Sequence, residues 1–233
     1  MSLKAKNIAV FGASSAVAQA MVNRLSERFP KATVHAFSRQ GDNPIDYLDE
    51  SALAAAAERV TQTEPLDFIL IANGILHDDQ VAPEKALGQL SAANFEHVFE
   101  INTIIPALIA KHFLPKLNRQ APAYFVVLSA RVGSISDNRL GGWYAYRASK
   151  AALNMLIRTA AIEVARRNKQ AVVVALEPGT VDTALLKPFQ NNVPAHKLFT
   201  PDQSAGHLLS VLDQLTPEQS GRFFGWDGHE IQP

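Results

Sequence analysis

Five short runs of strand composition, Asn7–Phe11, Thr33–Phe37, Asp67–Ile71, Tyr124–Leu128 and Ala171–Leu176, are separated by longer stretches whose apolar residues recur at helical spacing. Nothing else in the chain restricts its fold so strongly. Runs that are apolar throughout, rather than at alternate positions, belong to strands buried on both faces, and strands that alternate with helices pair in parallel. The pattern predicts an α/β protein: a three-layer, doubly wound Rossmann fold on a parallel sheet of about seven strands. A weaker segment at Asn43–Asp46 and a last one near Arg222–Phe224 complete that number.

Between the first two strands, Val17, Met21, Val22, Leu25 and Phe29 form one helical stripe. Long helices near Phe95–Leu117 and Ala145–Arg167 supply the middle crossovers, and Phe95, Val98, Phe99, Ile105 and Ile109 mark the buried side of the first. Thr200-Pro201-Asp202-Gln203 predicts a late helix, with a capping Thr, a first-position Pro and a Gln placed to complete a capping box. The stretch before it, residues 180–200, has two prolines and no periodicity, and is read as a substrate loop within a single domain spanning 1–233.

At 233 residues and 47% hydrophobic positions the chain supports one sizeable core. Lysine plus arginine and aspartate plus glutamate balance at 22 each, so no net field draws the protein to nucleic acid or an anionic membrane. The run Arg166-Arg167-Asn168-Lys169 fits the basic last turn of a helix. There is no cysteine, and the seven histidines show no ligand spacing, so no metal site is expected. The N-terminus leads into a strand without an apolar leader, no run approaches the ~18 apolar residues of a membrane span, and a cytoplasmic protein is expected.

The first strand ends in Gly12-Ala13-Ser14-Ser15-Ala16-Val17-Ala18, where the chain turns sharply into a helix. The free N–H groups of that first turn make an anion site, and the small residues at 12, 16 and 18 leave room for a pyrophosphate. Alone, the turn also fits an ordinary strand–helix junction. The second strand ends Phe37-Ser38-Arg39, with no carboxylate to accept a ribose hydroxyl and with a guanidinium that matches a 2′-phosphate. This favours NADP(H) over NAD(H); an exposed loop arginine is the competing reading. Asp46 is placed to accept from an adenine amino group, or is simply a turn aspartate.

Tyr146 and Lys150, four apart in Tyr-Arg-Ala-Ser-Lys, project from one helix face. An ammonium beside a phenol lowers its pKa toward working pH, as proton exchange with an alcohol or carbonyl requires.

With that pair the chain resembles the short-chain dehydrogenase/reductase family from Asn7 to about Gly228. The family's parts follow in order: the small-residue turn from Gly12, Ile71-Ala72-Asn73-Gly74, Asn102, Tyr146 with Lys150, and Pro178-Gly179-Thr180-Val181-Asp182-Thr183. The stretch from Gly133-Ser134-Ile135 to Ala151-Ala152-Leu153-Asn154 is most similar to the C-factor-like and sniffer-like carbonyl reductases. The resemblance implies hydride transfer between NADP(H) and a small carbonyl or alcohol. Tyr146 would exchange the proton, Lys150 would hold the ribose, and water on the Asn102 carbonyl would extend the relay. It further implies that Asn73 and Gly74 lie near the adenine ribose, that Pro178, Gly179, Val181 and Thr183 lie beside the carboxamide, and that the two long middle helices pair in a homodimer or homotetramer. Pro106, four residues past Asn102, lacks the N–H that would occupy that carbonyl, although a packed-helix kink explains it as well.

Three departures stand out. Ala16 and Ala18 replace glycines; the usual Asn-Asn-Ala-Gly is reduced to Ile71-Ala72-Asn73-Gly74; and the substrate-orienting serine falls on Ala130, leaving Ser134, after Gly133, as the hydroxyl that could swing in. Leu140, Trp143, Leu185, Leu186 and Phe189 are read as walls of an apolar pocket, or as core or interface. The alternative function is an NADP(H)-binding signalling or regulatory protein of C-factor type, with little or no turnover because of Ala130.

Overall fold

The structure is a computed structural model that describes residues 3–233. Its elements are β1 (Asn7–Phe11), α1 (Ala16–Arg28), β2 (Thr33–Phe37), α2 (Glu50–Val60), β3 (Phe68–Ile71), α3 (Ala92–Phe99), α4 (Ile105–Phe113), β4 (Ala123–Leu128), α5 (Tyr144–Val164), β5 (Ala171–Glu177), β6 (Thr180–Val181), β7 (Leu198–Phe199), α6 (Pro201–Leu212) and β8 (Phe223–Gly225). The main sheet has six strands in the order β2-β1-β3-β4-β5-β8, every neighbouring pair parallel.

The apolar runs of β1, β3, β4 and β5 are buried on both faces, as their composition requires, while the edge strand β2 is buried only at Phe37. Ala9 and Phe11 join a core beneath α2, α4 and α5, containing Leu53, Ile109 and Leu153. Ile8 and Val10, pointing the other way, join one beneath α1 and α6, containing Met21, Leu25 and Leu208. These are the three layers of a Rossmann-type α/β fold. The chain moves one way from β1 to β2 and the other way to β3, and the crevice above the carboxyl ends of β1 and β3 is where such sheets receive ligands.

Two expectations need correction. Asn43–Asp46 is not a strand: its ladder is a single bridge between Ser38 and Pro44, because Pro44 has no N–H to continue it, so β2 stays at the edge. Helix α2 was not expected. Its stripe is Leu53, Ala56, Ala57 and Val60, two of them methyl groups too small to stand out, and its start is set by the Asp49 carboxylate accepting from Ser51 and Ala52 N–H. The long helix near Phe95–Leu117 forms as α3 and α4 joined by a π-helical segment, Glu100–Ile104, where Ile105 N–H reaches the Glu100 carbonyl five residues back. The capping box at Thr200 and Gln203 forms as expected, with bonds of 3.1 and 2.9 Å.

Below the crevice, Phe11 stacks on Phe37 at 4.9 Å and meets the edge of Phe113 at 4.7 Å, which ties β1 and β2 to α4. Truncation of the fully buried Phe113 to Ala is expected to cost about 3–5 kcal/mol, measured as a lowered denaturant midpoint at unchanged m-value.

Candidate active site

A cavity of about 1060 Å³ opens above the carboxyl ends of the central strands. Gly12 does not line it but sets the turn beneath it, with a φ of +72° that suits a residue without a side chain. A Cβ there would stand 2.8 Å from the Asn73 nitrogen, so β1 and β3 meet backbone to backbone at this point. Ser15 caps α1 by accepting from Ala18 N–H at 3.3 Å. Ser14, Ser15, Ala16 and Val17 line the cavity with the helix N-terminus behind them. The methyl of Ala16 faces that space, whereas Ala18 is fully buried against the sheet and is part of the core.

Tyr47, which no motif in the sequence marks, braces the strand ends at this point. Buried Tyr47 accepts from Gly12 N–H and donates to the Phe37 carbonyl, each at 3.0 Å, bracing β1 against β2. Ser38 is turned onto the Gln40 carbonyl. Arg39 is exposed and the Asp46 carboxylate closes a local turn on Leu48 N–H, and neither these two nor Ser38 lines the cavity.

Asn73 and Gly74 do line it, and the Asn73 Oδ1 is buried without a hydrogen-bond partner. A Cβ on Gly74 would come within 3.3 Å of the Lys150 Nζ. The fully buried Asn102 side chain clamps this region: Oδ1 accepts from Ile75 N–H at 2.8 Å, and Nδ2 donates to the Ile75 carbonyl and the Ser149 hydroxyl at 2.9 and 3.0 Å. Its backbone lies in the π-helical segment just before Pro106.

Tyr146 occupies the first turn of α5, half-buried, with Lys150 one turn on at 4% exposure. Lys150 donates to the Leu128 carbonyl at 3.0 Å and lies 5.9 Å from the Tyr146 ring centre. Burial pushes the ammonium down to about 8. The phenol is pushed up from its ordinary value, first by burial and then by the Glu177 carboxylate, contrary to the expectation that Lys150 lowers it. With Nζ held on Leu128, desolvation outweighs the neighbouring cation.

Glu177, at the end of β5, is a second group the sequence reading missed; only its place at a strand's carboxyl end could have marked it. It lines the cavity with 12% of its side chain exposed, 3.9 Å from Arg131, and burial raises its pKa. Ala130 is also on the wall, and Ser129 is committed to Asn154 at 2.7 Å. Ser134 is a correction. It is buried away from the cavity, its hydroxyl donating to the Gln232 carbonyl at 2.5 Å and accepting from Asp137 N–H, so it does not stand in for a residue-130 hydroxyl.

Pro178, Gly179, Val181 and Thr183 line the opposite wall, and a Cβ on Gly179 would strike the Phe199 ring at 2.7 Å. Leu140, Trp143, Leu185, Leu186 and Phe189 all face the cavity, with Trp143 packed edge-on against Phe189 at 5.2 Å. The glycine cradle, the partnerless Asn73 oxygen and the α1 N-terminus together fit a dinucleotide. Among the described residues no cluster suits a metal, and no helix is long and apolar enough to cross a membrane.

A family model for short chain dehydrogenases matches residues 5–194. The chain is 32% identical to 1-hydroxy-2-glutathionyl-2-methyl-3-butene dehydrogenase of Rhodococcus sp. (strain AD45), over 97% of this chain and 98% of the relative. It is 39% identical to the C-signal of Myxococcus xanthus, over 63% and 82% respectively. An NADPH-bound carbonyl reductase from chicken fatty liver superposes with a TM-score of 0.84 at 26% identity, over 99% of this chain and all of that one. The expected likeness to C-factor-like proteins and carbonyl reductases is borne out.

A buried ammonium opposes folding. Its lowered pKa amounts to about 3 kcal/mol against the folded state below pH 8, and the cost fades as pH rises toward 10.5, where the unfolded lysine also loses its proton. Lys150→Met is therefore expected to be more stable than wild type at pH 7, with the gap closing between pH 8 and 10; paired urea titrations across that range measure it.

Proposed function

This chain belongs to the short-chain dehydrogenase family, and on that premise we propose that it transfers a hydride between NADP(H) and a small carbonyl or alcohol, with Tyr146 as the proton donor. One observation carries the proposal: Tyr146 and Lys150 face the same cavity as the α1 phosphate turn and the Pro178–Thr183 wall. Bound NADPH supplies the hydride. Tyr146, whose raised pKa keeps it protonated, gives its proton to the substrate oxygen, and Lys150, cationic below about pH 8, holds the ribose and offsets the phenolate charge. Asn102 fixes the strand end beside them and supports the water relay. Ser14, Ser15, Ala16 and Val17 take the pyrophosphate, Asn73 and Gly74 the adenosine side, and Pro178, Gly179, Val181 and Thr183 the carboxamide.

Arg39, with Ser38, supports NADP(H) over NAD(H), since no carboxylate occupies the tip of β2 and the guanidinium is free at the surface to meet a 2′-phosphate. The apolar wall from Leu140 to Phe189 suits a substrate with hydrocarbon bulk. The substrate is a small molecule, met in the cytoplasm. A second reading, a cofactor-binding signalling or regulatory protein with little turnover, is favoured by Ala130 and by the likeness to C-signal, because a lost oxyanion donor costs roughly 10²–10³ in rate.

NADPH is expected to bind more tightly than NADH in fluorescence titrations. Against a panel of aldehydes, ketones and the glutathionyl alcohol in the Rhodococcus relative's name, wild type turns over, Tyr146→Phe loses about 10²-fold or more, and Ala130→Ser gains. NADPH binding with turnover only after Ala130→Ser would instead establish the regulatory reading.

We also place the chain in a homodimer or homotetramer. The outer face of α5 and the segment between α3 and α4 expose Ile104, Met155 and Ile162 at 47, 66 and 49%. Light scattering is expected to give a dimer or tetramer mass that Met155→Glu with Ile162→Glu lowers; a monomeric wild type would refute it.

A further inference from the structure

Helix α5 starts on an unusual footing. Its N-cap residue is Trp143, left-handed at φ 52°, preceded by Gly141 and Gly142, both at φ 65°. Tryptophan has no acceptor with which to cap a helix, and a non-glycine residue in this conformation is strained. The first turn, which carries Tyr146 at its third position, thus has no side-chain cap of its own.

The cap comes from another segment. Glu84, between β3 and α3, is 3% exposed; its main-chain carbonyl accepts from Trp143 N–H at 2.5 Å and its Oε2 accepts from Ala145 N–H at 3.2 Å. Val81 anchors the same segment in a small core with Ile75, Val98 and Ala145. Oε1 is buried with no hydrogen-bond partner, so burying a carboxylate here carries a cost that its service to the helix must offset. The negative group also faces the positive end of the helix.

We propose that Glu84 is a positioning residue for Tyr146: by capping α5 from outside, it fixes the turn that carries the phenol and holds Trp143 against it. The proposal rests on the assignment of Tyr146 as proton donor. Without the carboxylate, Ala145 N–H loses its acceptor while the Glu84 main-chain carbonyl still holds Trp143 N–H; the first turn loosens beside the Trp143 ring, which lies 6.2 Å from Tyr146, and the phenol shifts relative to the substrate oxygen. Misplacement by about 1 Å costs up to ~10²-fold in rate.

Glu84→Ala and Glu84→Gln test this, by amide hydrogen exchange on the protein alone and by kinetics with NADPH. In Glu84→Ala, amides 144–146 are expected to exchange faster, Ala145 most of all, while those at Leu153 and Ile157 keep their protection. Its kcat falls about ten- to hundredfold, with the NADPH Kd unchanged. Glu84→Gln keeps an acceptor and stays near wild type in both. Unchanged exchange at 144–146, loss spread evenly along α5, or a Gln variant as impaired as the Ala variant would overturn the inference. A wild type that binds NADPH but reduces no carbonyl removes the proposed function, and exchange alone then decides the capping.

Discussion

The crevice depends on the approach of two backbones, Gly12 after β1 and Ala72-Asn73 after β3, at a distance no side chain could occupy. That contact lets the strands diverge only above it, so the chain leaving β1 turns straight into α1 and points free N–H groups at the gap. The Tyr47 hydroxyl stiffens the same point from the β2 side, and the Phe11, Phe37 and Phe113 rings fill the space beneath it. A methyl at position 12 would combine a left-handed strain with a backbone clash, and the phosphate turn would move with it.

Above this floor, three ionisable groups share a poorly solvated space. Desolvation drives all three toward neutrality: the Lys150 ammonium downward, the Tyr146 phenol and the Glu177 carboxyl upward. A phenol that keeps its proton serves a donor in the reductive direction, and the lysine lies close enough to neutral pH for small changes in its surroundings to alter its charge. The tyrosine–lysine spacing shows that the two share a face, but it carries no information on the dielectric around them.

What was legible in the sequence followed from burial. The central strands of the sheet were readable because they are apolar on both faces, and the α6 start because Thr200 and Gln203 carry their instruction locally. Where the signal was faint or long-range, reading failed. Alanines hid α2, Pro44 ended a strand that composition favoured, and the Ser134 hydroxyl is claimed by a carbonyl 98 residues away. The site divides in the same way: Gly12, Gly74, Tyr146 and Lys150 are visible as motif residues, whereas Tyr47, Glu84 and Glu177 enter only through tertiary contacts.

The irregular stretch between β5 and α6 is stitched at its base by the two-residue pairing of β6 with β7, Thr180 opposite Leu198 and Val181 opposite Phe199. Both feet of the loop are thereby anchored beside Gly179, independent of what lies between them. The wall at Pro178 and Gly179 is thus held by the pairing at the base of the loop, and its position does not hang on the conformation of residues 184–197.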